Sequence, residues 1–261
     1  MNALPKQASI QKKKCFLLTL EYDGTNFLGW QAQTGKRTVQ GTIQDALKQW
    51  AGCEVLVSGA SRTDAGVHAR GQAASFVLST RLNASDIRGA LQSLCPLDIS
   101  IRRVIEVPLH FSVRNHAQGK IYTYVILNSN IPSPLLRRTS LWVRTPLNVP
   151  LMRRAARALE GKKDFASLET SARDGKKRLY TRTHLRRIRI TKNTKTGLIT
   201  IEIHGKSFLY KMCRTLVGTL IQAGKKQLDP AKIPAILRSR DRALAGPAVA
   251  AHGLCLDKVI F

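Results

Sequence analysis

The order of apolar runs in the first 107 residues constrains the fold more than any other feature of this 261-residue chain. Lys14–Tyr22 (KCFLLTLEY) is apolar and partly alternating and closes on Asp23-Gly24, which predicts a strand ended by a turn. In TVQGTIQDALKQWAG, Thr38 is placed to cap a helix with Val39, Ile43, Ala46, Leu47 and Trp50 on one face, and Gly52 to stop it. Glu54–Ser58 and Gln72–Leu78 carry strand patterning. Asn83 caps a second helix bearing Ile87, Ala90, Leu91 and Leu94, with Pro96 beyond its end, and Asp98–Val107 alternates again. The order β-α-β-β-α-β is that of ferredoxin-like folds, an antiparallel sheet with helices on one face.

The remainder has similar parts. Lys120–Leu127 reads as a strand and Leu151–Leu159 as a helix, while Thr183–Thr191 and Leu198–His204 flank KNTKTG as a hairpin. A long helix is expected from Ser207 to Ala223, burying Leu209, Met212, Cys213, Leu216, Val217, Leu220 and Ile221. A shorter helix near 230–239 and a strand over Leu254–Ile260 close the chain. Two such α+β halves around one sheet leave a cleft between them, a common place for a binding site. Ferredoxin-like folds host many functions, so the fold alone decides none.

Charge narrows the choice of partner. Lys and Arg number 43 against 16 Asp and Glu, a formal net charge of +27, and Arg137–Lys192 holds 17 basic residues against four acids. A polyanion is the expected ligand, since each phosphate neutralised releases condensed counterions. No apolar run of about 18 or more residues exists to span a membrane, and no long amphipathic helix with a basic face points to a lipid surface. The five cysteines, Cys15, Cys53, Cys95, Cys213 and Cys255, are odd in number and widely spaced. They read as thiols in a reducing compartment and not as a disulfide framework or zinc site. The start, MNALPKQASIQKKKC, lacks a secretory hydrophobic core; it reads as a basic solvated tail, with an organellar targeting peptide left open by its lack of acids.

Motifs for nucleotide hydrolysis, dinucleotide binding and serine hydrolysis are absent, and the acids are too few for a metal nuclease. What remains is one acid in a glycine-containing connection, GASRTDAGVHARGQ at 59–72. Asp64 there has two readings. With Thr63 it satisfies backbone donors in a turn while Gly66 supplies an unusual φ; or it is a reactive carboxylate kept ionised by an arginine, for which Arg214 on the long helix is placed to reach across the cleft. His68, without a second ligand at metal spacing, reads locally as a structural hydrogen-bonding residue.

Seven stretches, in order over nearly the whole chain, resemble the TruA-type tRNA pseudouridine synthases. They are YDGTNFLGWQAQ (22–33), TVQGTIQDAL (38–47), SRTDAGVHARGQ (61–72), FSVRNHAQGKIYTY (111–124), KDFASL (163–168), GKSFLYKMCRTLVGTLIQAG (205–224) and AAHGLCL (250–256). RTDAGVHA is the most specific. The resemblance implies an α+β pseudouridine synthase fold: two ferredoxin-like halves joined in one mainly antiparallel sheet with a central basic cleft. A tail (1–13) would precede an N-terminal half (14–107) carrying the catalytic Asp64, and a C-terminal half (108–261) would supply Tyr122 and Arg214. Asp64 matches the family's catalytic aspartate, Arg62 its loop arginine, Tyr122 its active-site tyrosine and Arg214 the arginine that pairs with the aspartate. Lys120, Arg114 and His68 join Tyr122 as substrate-binding residues. Three departures stand out: Lys120 where Arg is frequent, which loses the bidentate fork; Ser61 where Gly is commoner; and Ala248-Val249-Ala250 in place of a Thr-Ala-Pro run.

The activity so implied is isomerisation of uridine to pseudouridine in the tRNA anticodon stem-loop, around tRNA positions 38 to 40. It calls for no redox cofactor, ATP or metal. The implied partner is the tRNA anticodon arm, bound by a homodimer in the cytoplasm, with an organellar matrix as the other compartment. The rival expectation is a catalytically silent RNA-binding or ribosome-assembly protein of the same fold. A binding-only relative could drop Asp64, Tyr122 or Arg214, and this chain retains all three.

Overall fold

A computed structural model describes residues 12–170 and 180–261. Most of the expected tail, and residues 171–179 of the basic run, lie outside the described residues. The ten strands of one sheet are β1 (Lys13–Tyr22), β2 (Ser58–Gly59), β3 (His68–Ser79), β4 (Ile99–Val107), β5 (Gly119–Leu127), β6 (Leu141–Trp142), β7 (Gly161–Asp164), β8 (Arg182–Lys192), β9 (Leu198–Gly205) and β10 (Leu254–Ile260). The five α-helices among the described residues are α1 (Val39–Ala51), α2 (Ala84–Leu94), α3 (Val149–Leu159), α4 (Met212–Gly224) and α5 (Ile233–Ser239).

The main strand order is β4-β1-β3-β10-β5-β9-β8-β7, with β2 on β3 and β6 on β5. This is one ferredoxin-like order used twice. Elements β1, α1, β2, β3, α2 and β4 give β4-β1-β3-β2, and β5, α3, β8, β9, α4 and β10 give β10-β5-β9-β8. The join is a consequence of how short β2 is. It pairs only with Ser75 and Ala74 of β3, which leaves the start of β3 open. There His68 and Ala69 pair parallel with Cys255 and Leu256 of β10. The β3–β10 and β5–β6 ladders are parallel and the others antiparallel.

Local signals account for the first helices. The Thr38 side chain accepts from Gly41 N–H, and Gly52 ends α1 in the left-handed region at φ 70. Asn83 and Asp86 form a reciprocal capping box on α2. Val39, Ile43, Ala46 and Leu47 are buried as their spacing demands, Trp50 only partly. In β5 and β9, Tyr122, Tyr124 and Ile126 lie opposite Ile203, Ile201 and Ile199, and all six are buried. Helix α4 is buried almost all round. The five cysteines are free thiols; Cys15, Cys213 and Cys255 are buried, Cys95 is partly covered and Cys53 is exposed.

Three expectations need correction. Glu54–Ser58 is not a full strand: Val55 and Val57 alternate into the core, but the Val57 carbonyl accepts from the Gln40 side chain (2.7 Å) instead of entering a ladder. β3 starts at His68, four residues before the expected Gln72, because β10 supplies it with a partner. α4 starts at Met212 and not near Ser207, because Lys211 sits in the left-handed region at φ 56 and breaks the helical path. Leu209 is buried nonetheless.

The seam is tight. A Cβ on Gly71 would stand 2.3 Å from the Asp257 carbonyl oxygen, so only glycine lets β3 and β10 approach this closely. Asp257 in turn accepts from Arg70 of β3 and Thr123 of β5. We expect Gly71→Ala to lower the unfolding free energy by about 1–3 kcal/mol, read as a lower urea midpoint at unchanged slope.

Candidate active site

Asp64 opens a four-residue turn. Val67 N–H donates to the Asp64 carbonyl (3.1 Å), and Gly66 holds φ 78 at the third position, where side chains are disfavoured. The segment between β1 and α1 clamps this turn: Trp30 N–H donates to the Thr63 carbonyl (3.0 Å), and Gly66 N–H donates to the Phe27 carbonyl (3.3 Å). Gly29, at φ 89, makes room, since a Cβ there would lie 2.6 Å from the Thr63 oxygen. Tyr22 and Thr63 add a buried hydroxyl pair at 2.8 Å. The stretch YDGTNFLGW is thus the mould in which RTDAG is cast.

The Asp64 side chain does not serve its own turn. Its Oδ2 accepts from Nη1 of Arg214 at 3.0 Å, across 150 residues of sequence. Both side chains are mostly covered, 20% exposed for Asp64 and 16% for Arg214, which strengthens their attraction relative to a surface pair. Among the described residues, Oδ1 carries no hydrogen bond. Arg214 is aimed by the main chain: its Nε donates to the Val249 carbonyl at 2.7 Å. The segment that carries Val249 crosses α4 at Gly218, where a Cβ would meet the Pro247 oxygen at 1.9 Å. Because it is backbone that holds the arginine, the unusual Ala248-Val249-Ala250 side chains leave this contact in place.

Tyr122 reaches the same loop from β5. Its hydroxyl lies 2.9 Å from Ser61 Oγ, and its ring meets Phe208 edge-on with centroids 5.1 Å apart. Burial pushes the phenol well above the ordinary tyrosine value and outweighs the Ser61 hydrogen bond, which lowers it, so Tyr122 is a neutral phenol. Cys213, beside Arg214, is likewise held as a thiol, by burial first and Asp64 second.

The other expected residues are more dispersed. Arg62 is exposed and has no hydrogen bond or ion pair among the described residues. Arg114, also exposed, donates Nε to the Gly59 carbonyl at 3.2 Å. Lys120 lies one register step from Tyr122, opposite Gly205 and Val259; burial lowers its ammonium pKa from the ordinary lysine value and Arg114 lowers it further. Both ring nitrogens of the buried His68 are engaged: Gly24 N–H donates to Nδ1 (3.1 Å), and Nε2 meets the carbonyls of Arg138 (2.7 Å) and His252 (3.1 Å). It ties three loops together. Ser61, Gln72, Phe208 and the Val249 carbonyl were not anticipated as parts of the site. Gln72 had a signal, a glutamine within an apolar strand; it is fully buried and donates Nε2 to the Ser61 carbonyl at 2.7 Å.

Elsewhere many basic residues lie at the surface. Arg153, Arg154 and Arg157 of α3 and Arg182, Arg186, Arg187, Arg189 and Lys192 of β8 are exposed. Two cavities of about 520 and 340 Å³ lie elsewhere, neither lined by Asp64, Tyr122 or Arg214. Among the described residues, no helix is long and apolar enough to cross a membrane.

Comparison with known proteins places the chain among relatives. The sequence profile of the tRNA pseudouridine synthase family matches residues 19–114 and 155–261, taking in Asp64 and Arg214. The chain is 40% identical to tRNA pseudouridine synthase A of Thermotoga petrophila over 245 residues, 93% of this chain and 97% of that protein. It is 41% identical to the protein of that name from Moorella thermoacetica over 248 residues (94% and 98%), and 39% identical to that of Caldicellulosiruptor bescii over 246 (94% and 98%). With the profile matching more than half of the chain and relatives about 40% identical over nearly all of it, the chain belongs to the tRNA pseudouridine synthase family.

Proposed function

We propose that this protein isomerises uridine to pseudouridine in the anticodon stem-loop of tRNA, around positions 38 to 40, with Asp64 as the nucleophile. The reading rests above all on the Asp64 carboxylate: one oxygen is held by Arg214 and the other has no hydrogen bond among the described residues, on a side chain that is neither buried nor fully exposed. A carboxylate so held is fixed in direction and presents its second oxygen to a glycosidic carbon. In the reaction the C1′–N1 bond breaks, the uracil turns, and C5 takes the place of N1 while its proton is lost and N1 gains one. Composition is unchanged, so neither oxidant nor phosphoryl donor is consumed.

A uridine in a stem must leave the stack before it can react, at a cost of a few kcal/mol. Phosphate contacts from the exposed arginines of α3 and β8 offset part of this cost. The neutral Tyr122 ring offers an apolar face for the flipped uracil to stack on, and Arg214 acts through Asp64 as its positioning residue. Exposed Arg62 is free to fill the space the base leaves or to meet a phosphate. Lys120 and Arg114 add charge beside Tyr122. In this reading residues 14–107 contribute the nucleophile and residues 108–261 the stacking ring and the arginine. The working assembly is a homodimer on the tRNA anticodon arm, in the cytoplasm.

With an anticodon-arm transcript as substrate, Asp64→Asn is expected to lower pseudouridine formation by about 10⁴-fold or more while a filter-binding Kd for the RNA stays near the parental value. Retained turnover rejects the nucleophile. Arg214→Ala is expected to lose about 10²-fold in single-turnover rate beyond any loss of affinity; an unchanged rate contradicts the role of the ion pair.

A further inference from the structure

We propose that Ser61 is a positioning residue for the reaction: its hydroxyl fixes the phenol of Tyr122 and so the ring surface that meets the flipped uracil. The proposal rests on the reading of Tyr122 as the stacking ring. Ser61 Oγ and Tyr122 Oη are 2.9 Å apart in a buried contact, and among the described residues the phenol has no other hydrogen-bond partner. The other contacts of the ring, its edge on Phe208 and its packing in the buried core, are apolar. Such contacts set distance but tolerate sliding and rotation, whereas a hydrogen bond is directional. Ser61 therefore decides where along the Phe208 edge the ring comes to rest.

Ser61 is itself held. Its carbonyl accepts from Nε2 of the fully buried Gln72, and it stands three residues before Asp64 in the clamped loop. Tyr122 lies on β5, on the far side of β10 from that loop's following strand β3. The hydroxyl pair thus fixes the distance between the carboxylate that attacks and the surface the base rests on. The Asp64–Arg214 pair does not do this, because it restrains the carboxylate alone. Alanine or glycine at 61 removes the partner and leaves a buried phenol O–H unsatisfied, free to turn toward another acceptor such as Asp64. The ring meets the base only after flipping, whereas the affinity of the stacked RNA comes from phosphate contacts. Loss of the bond therefore falls on kcat and not on KM.

The test compares the parent with Ser61→Ala, Tyr122→Phe, the double variant and Tyr122→Leu, by single-turnover rate and KM on a full-length tRNA transcript, with thermal unfolding recorded for each. Ser61→Ala and Tyr122→Phe are each expected to lose about tenfold or more in rate with KM within about twofold of the parent. The double variant is expected to lose no more than either alone, since both remove the same bond. A parental rate for Ser61→Ala, with or without a lower melting temperature, overturns the proposal. Losses that multiply in the double variant overturn it too. Tyr122→Leu separates this failure from that of the underlying reading: if it loses turnover while Ser61→Ala does not, the stacking ring stands and the positioning role falls. If Tyr122→Leu keeps turnover, both fall.

Discussion

Two residues of parallel pairing, His68 and Ala69 against Cys255 and Leu256, join the two halves of the sheet, and across that join a carboxylate on a turn of one half lies 3.0 Å from an arginine carried by a helix of the other. The ladder is possible because β2 is only two residues long. A longer β2 would cover the start of β3 and complete its own four-stranded unit, leaving β10 no edge to join. Gly71 then sets how close the strands come, and Asp257 spans β3 and β5 through Arg70 and Thr123. The stub of a strand that looks like a defect in the first unit is what makes the second available to it.

The electrostatics follow from that placement. In a chain of net charge +27, a lone carboxylate has many cations to choose from, and at the surface they would be interchangeable and screened. Asp64 instead meets one guanidinium whose direction is set by the Val249 carbonyl. The arrangement leaves one carboxylate oxygen occupied and the other without a hydrogen bond among the described residues. The exposed arginines of α3 and β8 remain in water, where they are free to meet phosphate. Arg214 at the carboxylate is thus covered and directional, in contrast to the exposed arginines of α3 and β8.

Much of the fold was legible residue by residue. Thr38, Gly52, Asn83 and the i, i+3, i+4 apolar spacing act within a few residues, so their signals survive in the sequence. The stretch Glu54–Ser58 misled because alternation reports burial and not pairing; its core-facing valines are where the pattern puts them, but a side chain takes the place of a ladder. The early start expected for α4 failed for a related reason. Apolar spacing continues back to Leu209, which is buried, yet Lys211 has the left-handed backbone of a sharp corner. Nothing in the residue type of a lysine announces that.

By itself the sequence determined the two runs of strands and helices, the basic character of the surface, and, through the motif around SRTDAGVHA, which acid to watch. Local rules left Asp64 open between a turn-capping acid and a reactive one, because both use the same residues at the same spacing. Only the tertiary structure decided that its carboxylate turns away from its own backbone to Arg214, and that Ser61 and Gln72 belong to the same cluster. The reason is physical. Capping and periodicity are short-range and leave a mark on neighbouring residues, whereas an ion pair across 150 residues and an arginine aimed by a main-chain carbonyl depend on where the sheet closes, which no neighbouring residue encodes.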